Sequence, residues 1–275
     1  MDFKDKTVVI TGGSKGVGEA CARAFADAGA NLVLAARGKK DLETLAGELR
    51  ERTRVAIMAM DVADEEACRN LLKKAEFEFG AIHILVNNAG FHARGPFESV
   101  SAADMALMVD VNLKAPIVLT RLALPYLREA GEGAIINVAS LAGMLGIPNS
   151  AVYSATKSGL RALTFALYEE LRGSGIKIAA VSPGPIDTGF IMADIDAVSN
   201  LTFSQPISTQ EEVAAEVLAL CGNNKREKAM PALSGILAKI SNLFPSLARL
   251  TRPLLENKGR RVKRRLKAQA RKAAD

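Results

Sequence analysis

Three observations predict a doubly wound parallel α/β sheet. Short apolar runs of strand length alternate with longer stretches of helical period through most of the 275 residues. Those runs are apolar throughout instead of alternating, which is how strands covered by helices on both faces read. The first of them passes through a glycine-rich turn straight into a helical stretch, as a nucleotide-binding unit opens.

The elements follow in order. TVVIT at 7–11 is the first strand, and GEACARAFADAG the helix beyond the turn. NLVLAA at 31–36, RVAIMAMD at 54–61, ILVNNA at 84–89, AIINVAS at 134–140 and IKIAAVSP at 176–183 are the next five strands, with amphipathic segments between them. With 49% hydrophobic and 24% charged residues, and no low-complexity block in place of a core, residues 1–231 suffice for one sizeable domain. Residues 232–275 form an extension to it.

Cys21, Cys68 and Cys221 show no CxxC or Cys/His spacing, so neither a disulfide framework nor a metal site is expected. A reducing, cytoplasmic setting fits. The opening Met-Asp-Phe-Lys-Asp-Lys leads at once into a strand, and no run of about 18 apolar residues occurs, so neither secretion nor a membrane span is expected. The net charge of +6 is unevenly spread. Residues 225–275 hold 15 Lys/Arg against 3 Asp/Glu, a net of +12, which leaves −6 on residues 1–224. An acidic main domain argues against a nucleic-acid footprint on its surface.

The turn Thr11-Gly12-Gly13-Ser14-Lys15-Gly16-Val17-Gly18 lies between strand and helix, inside a unit of roughly 30 residues that ends in a second strand. There its glycines let backbone amides at a helix start approach a pyrophosphate. At the end of the second strand an acidic residue would bond the adenosine ribose; here Ala36 and Arg37 follow instead. With no carboxylate to repel a 2′-phosphate, and with Arg37 and Lys15 to bind one, the expected cofactor is NADP(H) in preference to NAD(H).

Further along the chain Ser140 closes a strand, and Tyr153 and Lys157 lie one turn apart on one face of a helix. A phenol with a pKa near about 10 is a poor catalyst at neutral pH, and an ammonium beside it favours the phenolate. Lys157 is thus expected to tune Tyr153, which donates a proton to a carbonyl oxygen that Ser140 holds. Hydride is the cofactor's part.

In combination these residues resemble the short-chain dehydrogenase/reductase family from about residue 5 to residue 221. The family's TGxxxGxG matches Thr11–Gly18, its adenine-contacting Asp-Val matches Asp61-Val62, and its NNAG matches Asn87-Asn88-Ala89-Gly90. Its active-site Asn matches Asn112, its Ser and YxxxK match Ser140, Tyr153 and Lys157, and its PGxxxT matches Pro183-Gly184-Pro185-Ile186-Asp187-Thr188. The resemblance implies a Rossmann fold of about seven strands. It implies that Asn112 supports a proton path to Lys157, that Lys157 binds the nicotinamide ribose, and that Thr188 and Ile186 contact the nicotinamide. It also implies a homodimer or homotetramer packed through helices at roughly 103–129 and 151–172, stretches apolar on more than one face. From the residues alone, Asn112 reads equally as a helix-interior polar group bonding nearby backbone, and Asp61 as a helix N-cap.

Substrate contacts are expected from Ser140, Ala142, Met144, Tyr153 and Phe190, among loops rich in Leu145, Ile147, Ile191 and Met192. These loops show no cation cluster for a compact anion, which favours a lipophilic carbonyl or secondary alcohol. His92 reads as solvated, with no partner evident. KREKAMP resembles the family's last strand, and beyond it apolar residues from Leu233 to Leu254 recur at steps of three and four, with a break expected near Ser241–Pro245. A cationic run, GRRVKRRLKAQARKAA, follows. Packing on its own domain or on a partner subunit, attachment to an anionic membrane surface, and nucleic-acid binding are the readings of this extension; the last is disfavoured because interleaved aromatics are missing.

The function expected is NADPH-dependent reduction of a lipophilic ketone, or the reverse alcohol oxidation. The alternative is an NADP(H)-binding redox sensor or scaffold recruited to a membrane or partner by the extension, against which the complete set of Asn112, Ser140, Tyr153 and Lys157 argues. Epimerase or dehydratase chemistry fits the short chain and apolar loops less well.

Overall fold

The structure is a computed structural model and describes residues 1–187, 195 and 198–274, with only the backbone at 245, 247, 248 and 268–274. Seven strands form one all-parallel sheet in the order β3-β2-β1-β4-β5-β6-β7. They are β1 (Thr7–Thr11), β2 (Asn31–Ala36), β3 (Val55–Ala59), β4 (Ile84–Asn87), β5 (Gly133–Val138), β6 (Ile176–Pro183) and β7 (Glu227–Met230). The expected fold is the observed one.

Successive strand residues serve opposite faces of the sheet. Val8, Ile10, Leu32 and Leu34 pack on one side against α1 (Gly16–Asp27), α2 (Lys39–Leu49) and α7 (Gln210–Gly222). Val9, Val33, Ala35 and Leu85 pack on the other against α3 (Glu65–Phe79) and α5 (Ala115–Glu129), with α6 (Ala151–Glu170) at its margin. Both faces being covered explains why the strands are apolar throughout. The three cysteines are buried and free, Cys21 and Cys221 in the first layer and Cys68 in the second.

The helix expected over 103–129 is α4 (Ala102–Val109) and α5 joined by a π-helical turn, Asp110–Lys114. Ser101 starts it by accepting from the Asp104 amide at 3.0 Å. Beyond β7, α8 (Ala232–Leu243) and α9 (Pro245–Ala274) meet at Phe244, inside the interval expected for the break.

Part of the extension rests on the main domain. Small residues of α8, Ser234, Gly235 and Ala238, are buried. A Cβ on Gly235 would collide with Ala229 on β7. Asn242 donates to the Met144 carbonyl at 2.6 Å, and Lys263 on α9 donates to the Val198 carbonyl at 2.8 Å.

Candidate active site

Strand order reverses between β1 and β4, and beyond the carboxyl ends of the strands lies a cleft of about 700 Å³. Its one end is the glycine turn. Gly12 and Gly16 take φ of +62° and +59°, and a Cβ on Gly18 would strike the Gly12 carbonyl. The Thr11 hydroxyl accepts from the amides of Asn88 and Ala89, both at 3.1 Å, while Asn88 Nδ2 donates to the carbonyls of Thr11 and Gly12 at 2.9 and 3.0 Å. Thr11 and Gly18 thus shape the turn from behind, and Gly12, Ser14, Lys15, Gly16 and Val17 face the cleft. Lys15 is the N-cap of α1 without a side-chain capping bond, so the first-turn amides keep their donors. A cradle this tight, opening on uncapped amides, fits a dinucleotide pyrophosphate.

Arg37, Asp61, Val62, Asn88, Ala89, Gly90, Pro183, Gly184 and Ile186 also line the cleft. Thr188 lies outside the described residues. Asp61 does not cap a helix: it accepts from the Ala63 amide at 2.9 Å, and Asp64 caps α3. No carboxylate stands at the end of β2, but Asp41 nearby does reach the cleft. This carboxylate of the first α2 turn lines the cleft and pairs with Lys15 at 2.9 Å, four residues past the position where an acid was sought.

At the other end Ser140, Tyr153 and Lys157 converge. Tyr153 is hydrogen-bonded to Ser140, whose Oγ accepts from the Ala142 amide at 3.1 Å. Lys157 is buried; its Nζ donates to the Val138 carbonyl at 2.7 Å and lies 5.8 Å from the Tyr153 ring centroid. Burial lowers its pKa to about 8. Burial also raises the Tyr153 pKa, against the opposing effects of the Ser140 hydrogen bond and the Arg94 charge. Lys157 stands beside the phenol, its Nζ 5.8 Å from the ring centroid, and Arg94 is a second cation on the cleft wall that acts on it.

Asn112 occupies the π turn, fully buried. It accepts from the Phe91 amide at 2.8 Å and donates to the Phe91 carbonyl at 2.7 Å, fixing the chain just after NNAG. Its Oδ1 and Lys157 Nζ both flank Gly90, at 3.6 and 3.9 Å from where a Cβ would stand. π turns recur at functional sites because they re-aim one side chain without breaking the helix.

A glycine cradle, a Ser–Tyr–Lys cluster and an Asn-bearing π turn share this one cleft, and residues 6–198 match the short chain dehydrogenase family. The chain belongs to that family. It is therefore an oxidoreductase of a family that uses NAD(P)(H). Sulfoacetaldehyde reductase 2 of Chromohalobacter salexigens is 38% identical over 216 residues, 77% of this chain and 86% of the relative. An uncharacterized oxidoreductase of Staphylococcus aureus strain USA300 is 34% identical over 216 residues, 78% of this chain and 91% of the relative.

In this short-chain dehydrogenase the substrate end departs from expectation at Met144 and His92. Met144 does not face the cleft: it is buried with Leu141 and Ala238 beneath α8, because that helix brings only small residues there and leaves room for its side chain. Phe190, with Ile191 and Met192, lies outside the described residues. His92 is not solvated. Its ring stacks on Tyr153, 3.9 Å between centroids and 11° between planes, with Nε2 3.1 Å from Ser150 Oγ. Burial, then the charges of Arg94 and Lys157, push its pKa down to about 3. Ala142 does line the cleft, with Leu107, Val111, Ile147 and Arg94. Among the described residues no cluster of metal-binding side chains occurs.

Proposed function

We propose that this dehydrogenase reduces the carbonyl of an apolar substrate with NADPH and oxidises the corresponding secondary alcohol in reverse. One observation carries the reading: Ser140, Tyr153 and Lys157 converge at one end of a cleft whose other end is the glycine cradle. Bound there, the nicotinamide supplies or accepts hydride. Ser140 orients the substrate oxygen, and Tyr153 gives that oxygen its proton. Lys157 holds positive charge at the junction between phenol and ribose, and Asn112 keeps the Phe91 segment, hence the wall opposite Tyr153, in register.

NADPH is favoured by Arg37 and Lys15 on the cleft wall, with Asp41 drawn off by its pairing with Lys15. Phe91, Leu107, Val111, Leu141 and Ile147 favour the apolar substrate. Arg94 at the same end favours a second reading, an aldehyde with an anionic group, such as the sulfoacetaldehyde in the name of the Chromohalobacter relative. The same proposal has the chain working as a homo-oligomer and held at an anionic membrane surface through residues 232–275.

The test is NADPH and NADH oxidation across ketones graded from small and polar to long-chain and steroidal, with sulfoacetaldehyde included. Turnover of the apolar members, reduced about 10²–10⁴-fold in Tyr153→Phe, is the expected result. Arg37→Ala should weaken NADPH binding about tenfold and leave NADH unchanged. Turnover confined to sulfoacetaldehyde selects the second reading. Tight NADPH binding with no turnover selects a sensor.

A further inference from the structure

Helix α8 inverts the usual arrangement of a surface helix. Its small side chains face the protein, and Leu233, Ile236, Leu237, Ile240, Leu243 and the following Phe244 face outward, 39–74% exposed. Their spacing puts them along one side of the helix. A surface helix ordinarily directs such residues inward and polar ones out. On α9 Leu250 and Leu254 are exposed as well, at 77% and 74%.

The charge around this face identifies what covers it. Residues 245–267 hold nine Lys/Arg and one acid, Glu256, which pairs with Arg252 at 2.7 Å. A second copy meeting the same face about a twofold axis would bring two cationic runs together, and like charges would oppose the contact. An anionic bilayer offers hydrocarbon to the leucines and phosphates to the cations. No helix among the described residues is long and apolar enough to cross a membrane, so the arrangement suits lying on one.

We propose that α8 and residues 245–267 of α9 form a docking face for an anionic lipid bilayer, and that this face also backs the substrate end of the cleft. Its link to the cleft is direct. A Cβ on Gly259 would collide with the Asn200 carbonyl, and Lys263 bonds Val198, in a segment where Val198, Ser199 and Thr202 line the cleft. An apolar carbonyl dissolved in the bilayer then enters at the docked side; this last step rests on the proposed reduction, whereas the docking face deepens the membrane attachment proposed above and stands without the reduction.

The experiment floats the full chain with phosphatidylcholine vesicles, with and without phosphatidylglycerol, and no substrate or cofactor. Binding only to the anionic vesicles is expected, at least tenfold weaker in the double variant Leu237→Ser/Ile240→Ser and in Arg260→Glu/Arg264→Glu. Circular dichroism checks that both variants fold, since all four positions are exposed. No flotation of the intact chain, undiminished flotation of the leucine–isoleucine variant, or conversion of a dimer to monomers by that variant without vesicle binding each overturns the proposal. Turnover of a water-soluble apolar ketone, measured alongside, separates the readings: flotation without turnover retains docking and removes the substrate assignment, and turnover without flotation does the reverse.

Discussion

His92 shows most plainly what one residue's surroundings do to it. Stacked on Tyr153 and half-buried, it stays neutral in the folded protein down to about pH 3, whereas in the unfolded chain it takes up a proton near its ordinary value of about 6.5. Between those values the unfolded state binds more protons, so stability falls as pH falls. Denaturant unfolding at pH 7 and at pH 4.5 should differ by on the order of 2 kcal/mol more in the wild type than in His92→Phe, which keeps the stack and cannot titrate. An equal difference in the two proteins would remove His92 from the acid response. The ring itself was visible in the sequence, but its partner was not, because stacking across more than fifty residues leaves no local pattern. Arg94 escaped for a similar reason: it stands alone in the sequence, and only the fold turns it toward the phenol. Tyr153, Lys157 and Ser140 were legible because the chemistry requires them at fixed steps along one helix and at one strand end.

Elements were legible wherever an apolar run goes on without interruption, as in β1, β2, β5 and β6. The π turn was not, since Asp110–Lys114 carries no Gly or Pro and its residues suit an α-helix equally well. Helix α8 was legible as a helix but not in its orientation, because which side of an amphipathic segment faces inward depends on what lies beneath it. The contact between α6 and β7 was likewise unreadable. There Arg161 forks onto Glu227, with Nη2–Oε2 at 2.9 Å, and donates to the Gly143 carbonyl at 3.0 Å, while Ser182 donates to Glu227 at 2.7 Å. Both charged side chains are nearly enclosed, at 15% and 8% exposure. Arg161→Ala leaves the Glu227 carboxylate buried with only Ser182 as partner, which should cost about 3–5 kcal/mol. Because the Gly143 carbonyl sits in the turn after Ser140, the same change should lower turnover even where the protein remains folded. Chemical denaturation and steady-state kinetics on the purified variant read the two effects separately.

On the scale of the whole molecule, the two faces of the sheet carry different obligations. The layer of α3 and α5 ends in surface that the monomer does not cover: Ile117 on α5 is 43% exposed, and α6 presents Ala155, Ala162 and Ala166 outward. Small side chains in such a row let a second helix approach closely. Sedimentation of the full chain should give a dimer or tetramer, and Ala162→Arg should give a smaller species; a monomer in the wild type would refute the proposed assembly. The buried thiols turn the same layering into a built-in reporter. Burial raises the pKa of Cys21 to about 12 and of Cys68 to about 11, and Cys221 higher still, so each is a protonated thiol shielded from reagents while its layer stays shut. An alkylating reagent can enter only when a layer lets go. Its rate at Cys68, set against its rates at Cys21 and Cys221, therefore times the breathing of one side of the sheet against the other, with no label added to the protein.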